Sequence, residues 1–401
     1  MRTILKLTFA PVASLIIIIL GISYLNTFIS IRLTNEGYDS TITGLIYSAY
    51  YAGMMLGAIY LERIIHKKGH IRSFAIFAAI TSTTVMLQSF TFSPYLWILF
   101  RFLTGAAASG LFIVIESWLL LLAKPKTRGA VLSIYMVAIY CAQCIGQFGI
   151  SLVSVEGDIA FNIAVLFATA SIIPVCLMKA AAPTLSESQY INIFYLLKKV
   201  PVGFLGNFTS GLILGAFYAI GPVYGKKIDL SLFQISLFMA VTIFGGMLLQ
   251  WPVGKLSDIF QRRHVIIAVS ASLFFLSMGL IITSHLSFEL KMFFLFLFGG
   301  MAFTLYPLSI TYCCDYFSSA GITSVTSASL IIYGCGCILG PILAPIFMKI
   351  LGPSGFFFYI ALLSLLMVFV TLYKQHIDPK QPEVSKEPYH ILPGTTGKFP
   401  E

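Results

Sequence analysis

Long apolar runs recur along the whole chain, and they constrain its fold more than any other feature. Each run holds about twenty residues, which is enough for a helix to cross a hydrocarbon core about 30 Å thick. Of the 401 residues, 58% are hydrophobic and 10% are charged, whereas roughly a quarter of the residues in soluble domains are charged. We therefore expect an integral membrane protein with spans near residues 10–32, 41–61, 71–91, 94–122, 130–153, 159–178, 200–224, 232–254, 264–284, 290–312, 320–350 and 356–373.

The positive charge of the chain lies mostly on one side of the predicted membrane. The formal net charge is +10, and there are 25 lysines and arginines. When both termini are placed on one side, most of these bases fall in the loops of that side. Basic loops mark the cytoplasmic side of a membrane protein, so we expect both termini in the cytoplasm. The charge therefore reflects topology, and nucleic acid is not expected as a partner.

A short polar pattern occurs twice, between the second and third spans and again between the eighth and ninth. In each copy a glycine ends an apolar run, an acidic residue follows four or five positions later, and bases come next. A pattern repeated in corresponding places indicates an internal duplication. The first copy contains Gly57, Glu62, Arg63 and Arg72, and the second contains Gly254, Asp258, Arg262 and Arg263.

These two loops resemble a motif of the major facilitator superfamily, and Arg101-x-x-x-Gly105 resembles the motif of its fourth span. The resemblance implies an all-α membrane protein with twelve transmembrane helices in two pseudo-symmetric six-helix halves and a substrate site near the midplane. It also implies that the loops gate alternating access; the alternative is that their bases only anchor the topology. The halves are expected at residues 1–178 and 200–373, with a cytoplasmic linker at 179–199 and a disordered cytoplasmic tail at 374–401.

The fourth span contains two charged side chains, Arg101 and Glu116. A charge in the hydrocarbon region costs roughly 2.5–3.5 kcal/mol, so such a residue usually has a partner or a function. By the resemblance, Arg101 faces the central cavity. Acidic residues within spans often form proton relays, which makes Glu116 a candidate proton carrier. The alternative is an ion pair at the cytoplasmic mouth with Arg63, Arg72 or Arg128.

Other spans carry polar side chains that lipid would penalise, and we expect these to line the cavity between the halves. In the fifth span, for example, two glutamines fall on one helical face. The alternative is that such groups hydrogen-bond between helices for stability alone. The candidate lining residues are Tyr24 and Asn26 in the first span, Gln143 and Gln147 in the fifth, Asn207 and Tyr218 in the seventh, and Tyr306 in the tenth.

The sequence contains no catalytic or cofactor-binding constellation. It has no H-E-x-x-H motif and no nucleotide-binding Gly-Lys-Ser/Thr loop. The seven cysteines lie within or at the ends of apolar runs and form no metal-ligand pattern. We therefore expect no enzyme activity, no metal and no cofactor. Without a phosphate-binding loop, the energy for transport must come from an ion gradient or from the solute's own gradient.

The sequence predicts a secondary active transporter of a small organic solute, coupled to protons and working by alternating access, with export favoured over import. The alternatives are an uptake permease or uniporter, and a solute-sensing membrane receptor without net transport. Glu116-Ser-Trp118 and Gly221-Pro-Val-Tyr224 resemble a group of poorly characterised bacterial permeases. We accordingly expect a monomer in a bacterial inner membrane, with the solute, protons and lipid as its partners.

Overall fold

Twelve long helices dominate the computed structural model, which describes residues 2–122, 128–153, 155, 157–177, 193–282, 287–317 and 322–377. Twelve helices are long and apolar enough to cross a membrane, which confirms the predicted number of spans. They are α1 (Arg2–Asn35), α2 (Ser40–Tyr60), α3 (His70–Phe90), α4 (Pro94–Leu122), α5 (Arg128–Gln147), α6 (Ile159–Ala170, continued by Ile172–Cys176), α7 (Pro201–Lys227), α8 (Leu232–Ile259), α9 (Arg262–Ile282), α10 (Phe288–Cys314), α11 (Ile322–Leu351) and α12 (Gly355–Ile377).

Short helices lie between some of the long ones. Glu62–Lys68 connects α2 to α3, a 3₁₀ turn at Phe148–Leu152 follows α5, and Ile193–Lys199 precedes α7. The predicted linker at 179–199 is thus described only from Ile193 onward. The predicted disordered tail lies outside the described residues beyond Ile377, and the boundaries of the two halves stay predictions.

Capping and turn residues explain where several helices begin. The Ser231 hydroxyl accepts a hydrogen bond from the Gln234 backbone N–H, and the Gln234 side chain accepts one from the Ser231 N–H, which forms a capping box before α8. Gly69, with φ 78°, separates Glu62–Lys68 from α3, in a conformation that glycine adopts without strain. Pro201 opens α7, at a position where its missing N–H costs no hydrogen bond.

Glycines allow close helix packing within each half. A Cβ on Gly53 of α2 would collide with the backbone of α4, and one on Gly105 of α4 would collide with the backbone of α2. Gly245 of α8 and Gly299 of α10 form the same kind of contact in the other half. Since lipid tails are as apolar as the side chains, close packing rather than burial from water holds such helices together. The matching α2–α4 and α8–α10 contacts reflect the pseudo-symmetry of the two halves.

The two halves meet along α1–α7, α2–α11 and α5–α8. We call the side where α1 begins and α12 ends the terminal face, and the opposite side the far face. The Ser30 hydroxyl of α1 donates to the Ala219 carbonyl of α7 at 2.9 Å, and the Ser48 hydroxyl of α2 donates to the Ile338 carbonyl of α11 at 2.6 Å. By helix direction, these contacts lie in the middle and far parts of the bundle.

At the terminal face, the end of α8 has open space beside it. A Cβ on Gly254 would meet no atom within 4 Å, and the Asp258 side chain is 72% exposed. Each ion pair that joins two described residues lies within one half. Within the described part of the chain, the end of α8 therefore has no ion pair to the other half.

Candidate functional site

A cavity lies where α1, α4 and α5 of one half face α7 of the other. It is partly open to solvent, and its wall is polar along α1 and α5. Four predicted site residues, Asn26, Gln143, Gln147 and Tyr218, meet here. The lining residues are Ile19, Ile22, Ser23, Asn26, Thr27, Phe112, Gln143, Gln147 and Tyr218.

A hydrogen-bond network joins α1 to α5 along this wall. The Gln147 amide nitrogen donates to the Ser23 hydroxyl at 2.8 Å, and the Thr27 hydroxyl donates to the Gln147 amide oxygen at 2.5 Å. The Ser23 hydroxyl also donates to the Gln143 backbone carbonyl at 2.8 Å. Because Gln143 and Gln147 are four residues apart, both side chains lie on one face of α5.

Tyrosine–glutamine bonds cross from one half to the other. The Tyr218 hydroxyl of α7 donates to the Gln143 side-chain oxygen of α5 at 3.0 Å. The Tyr140 hydroxyl of α5 donates to the Gln250 side-chain oxygen of α8 at 3.2 Å. The polar wall of the cavity is thus built from both halves.

Arg101 lies behind this wall with 0% of its surface exposed. One terminal guanidinium nitrogen donates to the Asn26 side-chain oxygen at 2.6 Å. The guanidinium carbon lies 4.3 Å from the centroid of the Tyr50 ring and 5.4 Å from that of Tyr47. Within the described part of the chain, no carboxylate pairs with it, and Nε and Nη1 have no partner. An amide oxygen and two ring faces therefore stabilise the charge.

Glu116 lies on α4 nearer the terminal face, with an exposed side chain. The Tyr135 hydroxyl of α5 lies within hydrogen-bonding reach of its carboxylate. Tyr306 of α10, in the other half, is close enough to interact with it electrostatically. Glu116 thus faces the space between the halves.

The basic residues proposed as partners of Glu116 take other positions in this structure. Arg63 and Arg72 are exposed, and neither lies within ion-pair distance of Glu116. The Arg128 side chain lies outside the described residues. Both roles considered for Glu116 stay predictions.

The remaining predicted lining residues are distributed among different environments. Tyr306 stacks on Tyr333 of α11, with ring centroids 4.6 Å apart. Tyr24 is buried and packs against Phe28, with ring centroids 6.3 Å apart. Asn207 is buried inside the second half, where its side-chain nitrogen lies 3.7 Å from the Cys313 sulfur. Tyr24 and Asn207 are therefore not among the residues that line the cavity.

The first of the two repeated loops keeps its polar contacts local. The Glu62 carboxylate lies 3.9 Å from the His66 ring four residues later. Arg63 and Arg72 point toward solvent. Gly57 packs against α4, since a Cβ there would collide with Ala106.

The second loop joins α9 to the end of α10. Arg262 pairs with Asp258 at 3.5 Å and also pairs with Asp315. The Arg263 guanidinium donates to the Tyr312 hydroxyl at 3.0 Å. Burial raises the pKa of Asp315, and the neighbouring Arg262 opposes this rise. All of these contacts lie within the second half, at its terminal end.

Three aromatic residues near the charged groups were not among the sequence candidates. Tyr50 covers Arg101, Tyr135 reaches Glu116, and Tyr333 stacks on Tyr306. Each lies in an apolar run, where the sequence does not distinguish a tyrosine at a functional site from one that only packs. The available signal was the intramembrane charge itself, which requires polar or aromatic neighbours.

The fold and the cavity define a class of protein, the solute transporters of the membrane. The chain belongs to the Major Facilitator Superfamily, whose family model matches residues 12–334. This membership confirms the predicted superfamily and fold, and it makes the chain a transporter rather than an enzyme.

Relatives and solved structures agree with this membership. Two proteins described as uncharacterized MFS-type transporter YcaD are each 26% identical to this chain. The match to the protein from Escherichia fergusonii covers 90% of this chain and 94% of that protein. The match to the protein from Shigella flexneri serotype 5b covers 92% of this chain and 96% of that protein. The crystal structure of the nucleoside transporter NupG superposes with a TM-score of 0.74 at 15% identity, over 93% of this chain and 99% of that chain. A bacterial homologue of the human lysosomal transporter Spinster, in an inward-facing and unoccupied conformation, gives 0.65 at 13% identity, over 91% and 95%.

Proposed function

We propose that this protein is a proton-coupled secondary transporter that exports a small organic solute by alternating access. It lies in a bacterial inner membrane with both termini in the cytoplasm, because most of its bases fall in the loops of the terminal face. The terminal face is then the cytoplasmic one. A single chain contains the whole cavity, which supports a monomer as the working unit.

The observation that carries this proposal is the hydrogen bond from Tyr218 to Gln143, 3.0 Å long, at the cavity wall. It joins side chains of opposite halves, so a solute that replaces it contacts both halves at once. The affinity of such a solute depends on how the halves are arranged. That dependence is the requirement for coupling solute binding to alternating access.

The distribution of contacts supports a state that is closed at the far face. The bonds from Ser30 to Ala219 and from Ser48 to Ile338 hold the halves together there. The space beside Gly254 and the exposed Asp258 favour an opening at the terminal face. In the opposite state the far bonds separate and the two repeated loops close against each other.

The surroundings of Glu116 favour the proton-carrier role over the ion pair. Its described polar neighbour is a tyrosine hydroxyl rather than a base. A carboxyl group that has no counter-charge can take up and release a proton at modest cost, whereas a paired one is held ionised. Its exposure to the space between the halves gives protons a route.

The test compares the wild type with Glu116→Gln in proteoliposomes that contain a pH-sensitive dye. The solute panel includes nucleosides, because a structural neighbour is described as a nucleoside transporter. We expect Glu116→Gln to lose proton-driven transport but to keep solute counterflow, which needs no net proton movement. Glu289→Gln, which neutralises an exposed carboxylate at the start of α10, is the matched control. Proton-driven transport that persists in Glu116→Gln refutes its role, and a wild type without solute flux refutes transport.

A further inference from the structure

Aromatic rings from both halves meet beside the cavity, with Phe303 of α10 between them. The Phe303 ring centroid lies 6.0 Å from that of Tyr140 on α5 and 6.1 Å from that of Tyr218 on α7. The interplanar angles are 71° and 82°, so both contacts are edge-to-face, an arrangement that aromatic pairs prefer. Tyr140 and Tyr218 belong to opposite halves, and Phe303 bridges them.

A second group of rings continues this surface. Tyr306 lies three residues after Phe303 on α10, and its ring packs on Tyr333 of α11 with centroids 4.6 Å apart. Tyr51 of α2 is close enough to Tyr218 and Tyr333 to interact with both electrostatically. We call the combined set the aromatic belt: Tyr51, Tyr140, Tyr218, Phe303, Tyr306 and Tyr333.

Most rings of the belt pack against the hydrophobic core but keep part of their surface uncovered. Its five tyrosines are half-buried, whereas Phe303 behind them is 6% exposed. The Tyr140 and Phe303 rings pack on each other across the halves, and Tyr51 lies near Tyr218 and Tyr333 of the other half. The uncovered ring surface of the tyrosines therefore lies along the space between the halves. A flat solute can therefore stack on rings that are held in place by their neighbours.

The polar groups beside the belt suit an uncharged solute with hydrogen-bonding atoms. Gln143 and Gln250 each accept a tyrosine hydroxyl through the side-chain oxygen. In the described part of the chain, their amide N–H groups have no partner, so they can donate to a ligand. None of the residues that line the cavity carries a formal charge. Arg101 is covered completely, with Asn26 between it and the cavity.

We propose that the aromatic belt is the recognition surface for an uncharged, planar heteroaromatic solute, which stacks on Tyr306 and Tyr333 and bonds to the neighbouring glutamine amides. This inference rests on the proposed transport function and names its solute class. An anionic solute meets no exposed base in the cavity lining, and any charged solute is costly to desolvate. A solute without an aromatic ring cannot stack on Tyr306 and Tyr333.

The test measures solute binding to the purified full-length protein by thermal shift. The probes are adenosine, uridine and caffeine, with AMP and UMP as charged counterparts and ribose as the counterpart without a heteroaromatic ring. We expect the three uncharged heteroaromatics to raise the melting temperature in a dose-dependent way, and the counterparts to have little effect. Ring stacking predicts that Tyr306→Leu and Tyr333→Leu each weaken binding roughly fivefold to a hundredfold. Tyr306→Phe keeps the ring and is expected to bind within about threefold of the wild type by the same reasoning.

Tyr373→Leu is the matched control, because Tyr373 lies at the end of α12 with 63% of its surface exposed. The melting temperature without solute shows whether each variant is folded. The proposal is overturned if none of the three heteroaromatics binds, if charged counterparts bind more tightly, or if folded leucine variants bind as well as the wild type. Binding that depends on the rings, without flux in proteoliposomes, supports the solute class and removes the transport function. Proton-coupled flux of a different solute class supports the transport function and refutes the proposed solute class.

Discussion

Arg101 carries a charge among membrane-spanning helices without a carboxylate partner in the described residues. Its surface is fully covered, and the Asn26 oxygen at 2.6 Å is the hydrogen-bond acceptor that the structure provides for it. The rings of Tyr47 and Tyr50 add their negative faces. The stability of this buried charge therefore depends on the side-chain oxygen of Asn26.

Replacing Asn26 tests this dependence. Asn26→Leu removes the acceptor and leaves a buried guanidinium unpaired, so we expect a loss of about 1.5–3 kcal/mol in the free energy of unfolding. Asn26→Asp keeps an acceptor and adds an opposite charge, so most of the stability is expected to remain. Unfolding in detergent by heat or denaturant measures both variants. Equal losses in the two would show that Asn26 contributes through its shape rather than through its oxygen.

Asp315 makes stability depend on pH at the terminal end of the second half. Burial raises its pKa above the ordinary value of 3.8, against the effect of Arg262. The folded protein then holds this proton more tightly than the unfolded chain does. The resulting stability is present below the ordinary pKa and is lost as the pH rises through the raised pKa. We expect the melting temperature of the wild type, relative to that of Asp315→Asn, to fall as the pH rises above the ordinary carboxyl pKa of 3.8. A wild-type melting temperature that rises with pH relative to that of Asp315→Asn would contradict this prediction.

At the scale of the helices, glycine position decides how closely two elements pack. Gly245 and Gly254 lie on the same helix, α8. A Cβ on Gly245 would collide with the Phe296 carbonyl of α10, whereas one on Gly254 would meet nothing within 4 Å. The same residue type therefore serves helix packing at one position and leaves open space at the other.

The two glycines give a matched pair of alanine variants. Gly245→Ala forces α8 and α10 apart, and we expect it to lower the free energy of unfolding by roughly 1–3 kcal/mol. Gly254→Ala meets no obstacle in this state and improves helix propensity, so its stability is expected to stay equal or to rise by up to about 1 kcal/mol. Thermal unfolding of both variants in one detergent measures the difference. Similar melting temperatures would contradict the packing argument.

Sequence patterns predicted the helices well and their contacts only in part. The apolar runs predicted all twelve spans because length and hydropathy are local properties. The charge of Arg101 and the glutamine stripe of α5 pointed to cavity residues, since lipid penalises such groups wherever they occur. The same reasoning does not distinguish Gln143, which lines the cavity, from Asn207, which is buried against Cys313. Which face of a helix meets a neighbour depends on packing between distant segments.

The whole molecule alternates between two arrangements in the proposed mechanism, and Gly44 lies where the halves meet near the far face. A Cβ on Gly44 of α2 would collide with the Pro341 carbonyl of α11. Gly44→Val therefore separates the halves at the far face and shifts the population toward a far-open state. We expect a lower transport rate and greater access from that side.

Labelling of Cys144 measures this access. Its sulfur lies 3.5 Å from the Ala240 carbonyl, at the α5–α8 contact between the halves. In a background with the other six cysteines changed to serine, a membrane-impermeant maleimide added at the far face is expected to react faster in Gly44→Val than with Gly44 retained. Cys144→Ser in the same background is the control for unspecific reaction. An unchanged labelling rate would mean that Gly44 does not control the closure.

The sequence by itself determined the membrane class, the number of spans, the duplication and the superfamily. These follow from local hydropathy and from short motifs, which no tertiary contact can alter. Only the tertiary structure decided that Arg101 bonds to Asn26 beneath two tyrosine rings, and that Tyr218 bonds to Gln143 across the halves. It also brought six aromatic rings from α2, α5, α7, α10 and α11 into one belt. The physical reason is that a side chain's partner depends on the rotation and approach of helices far apart in the chain, and close packing between helices sets both.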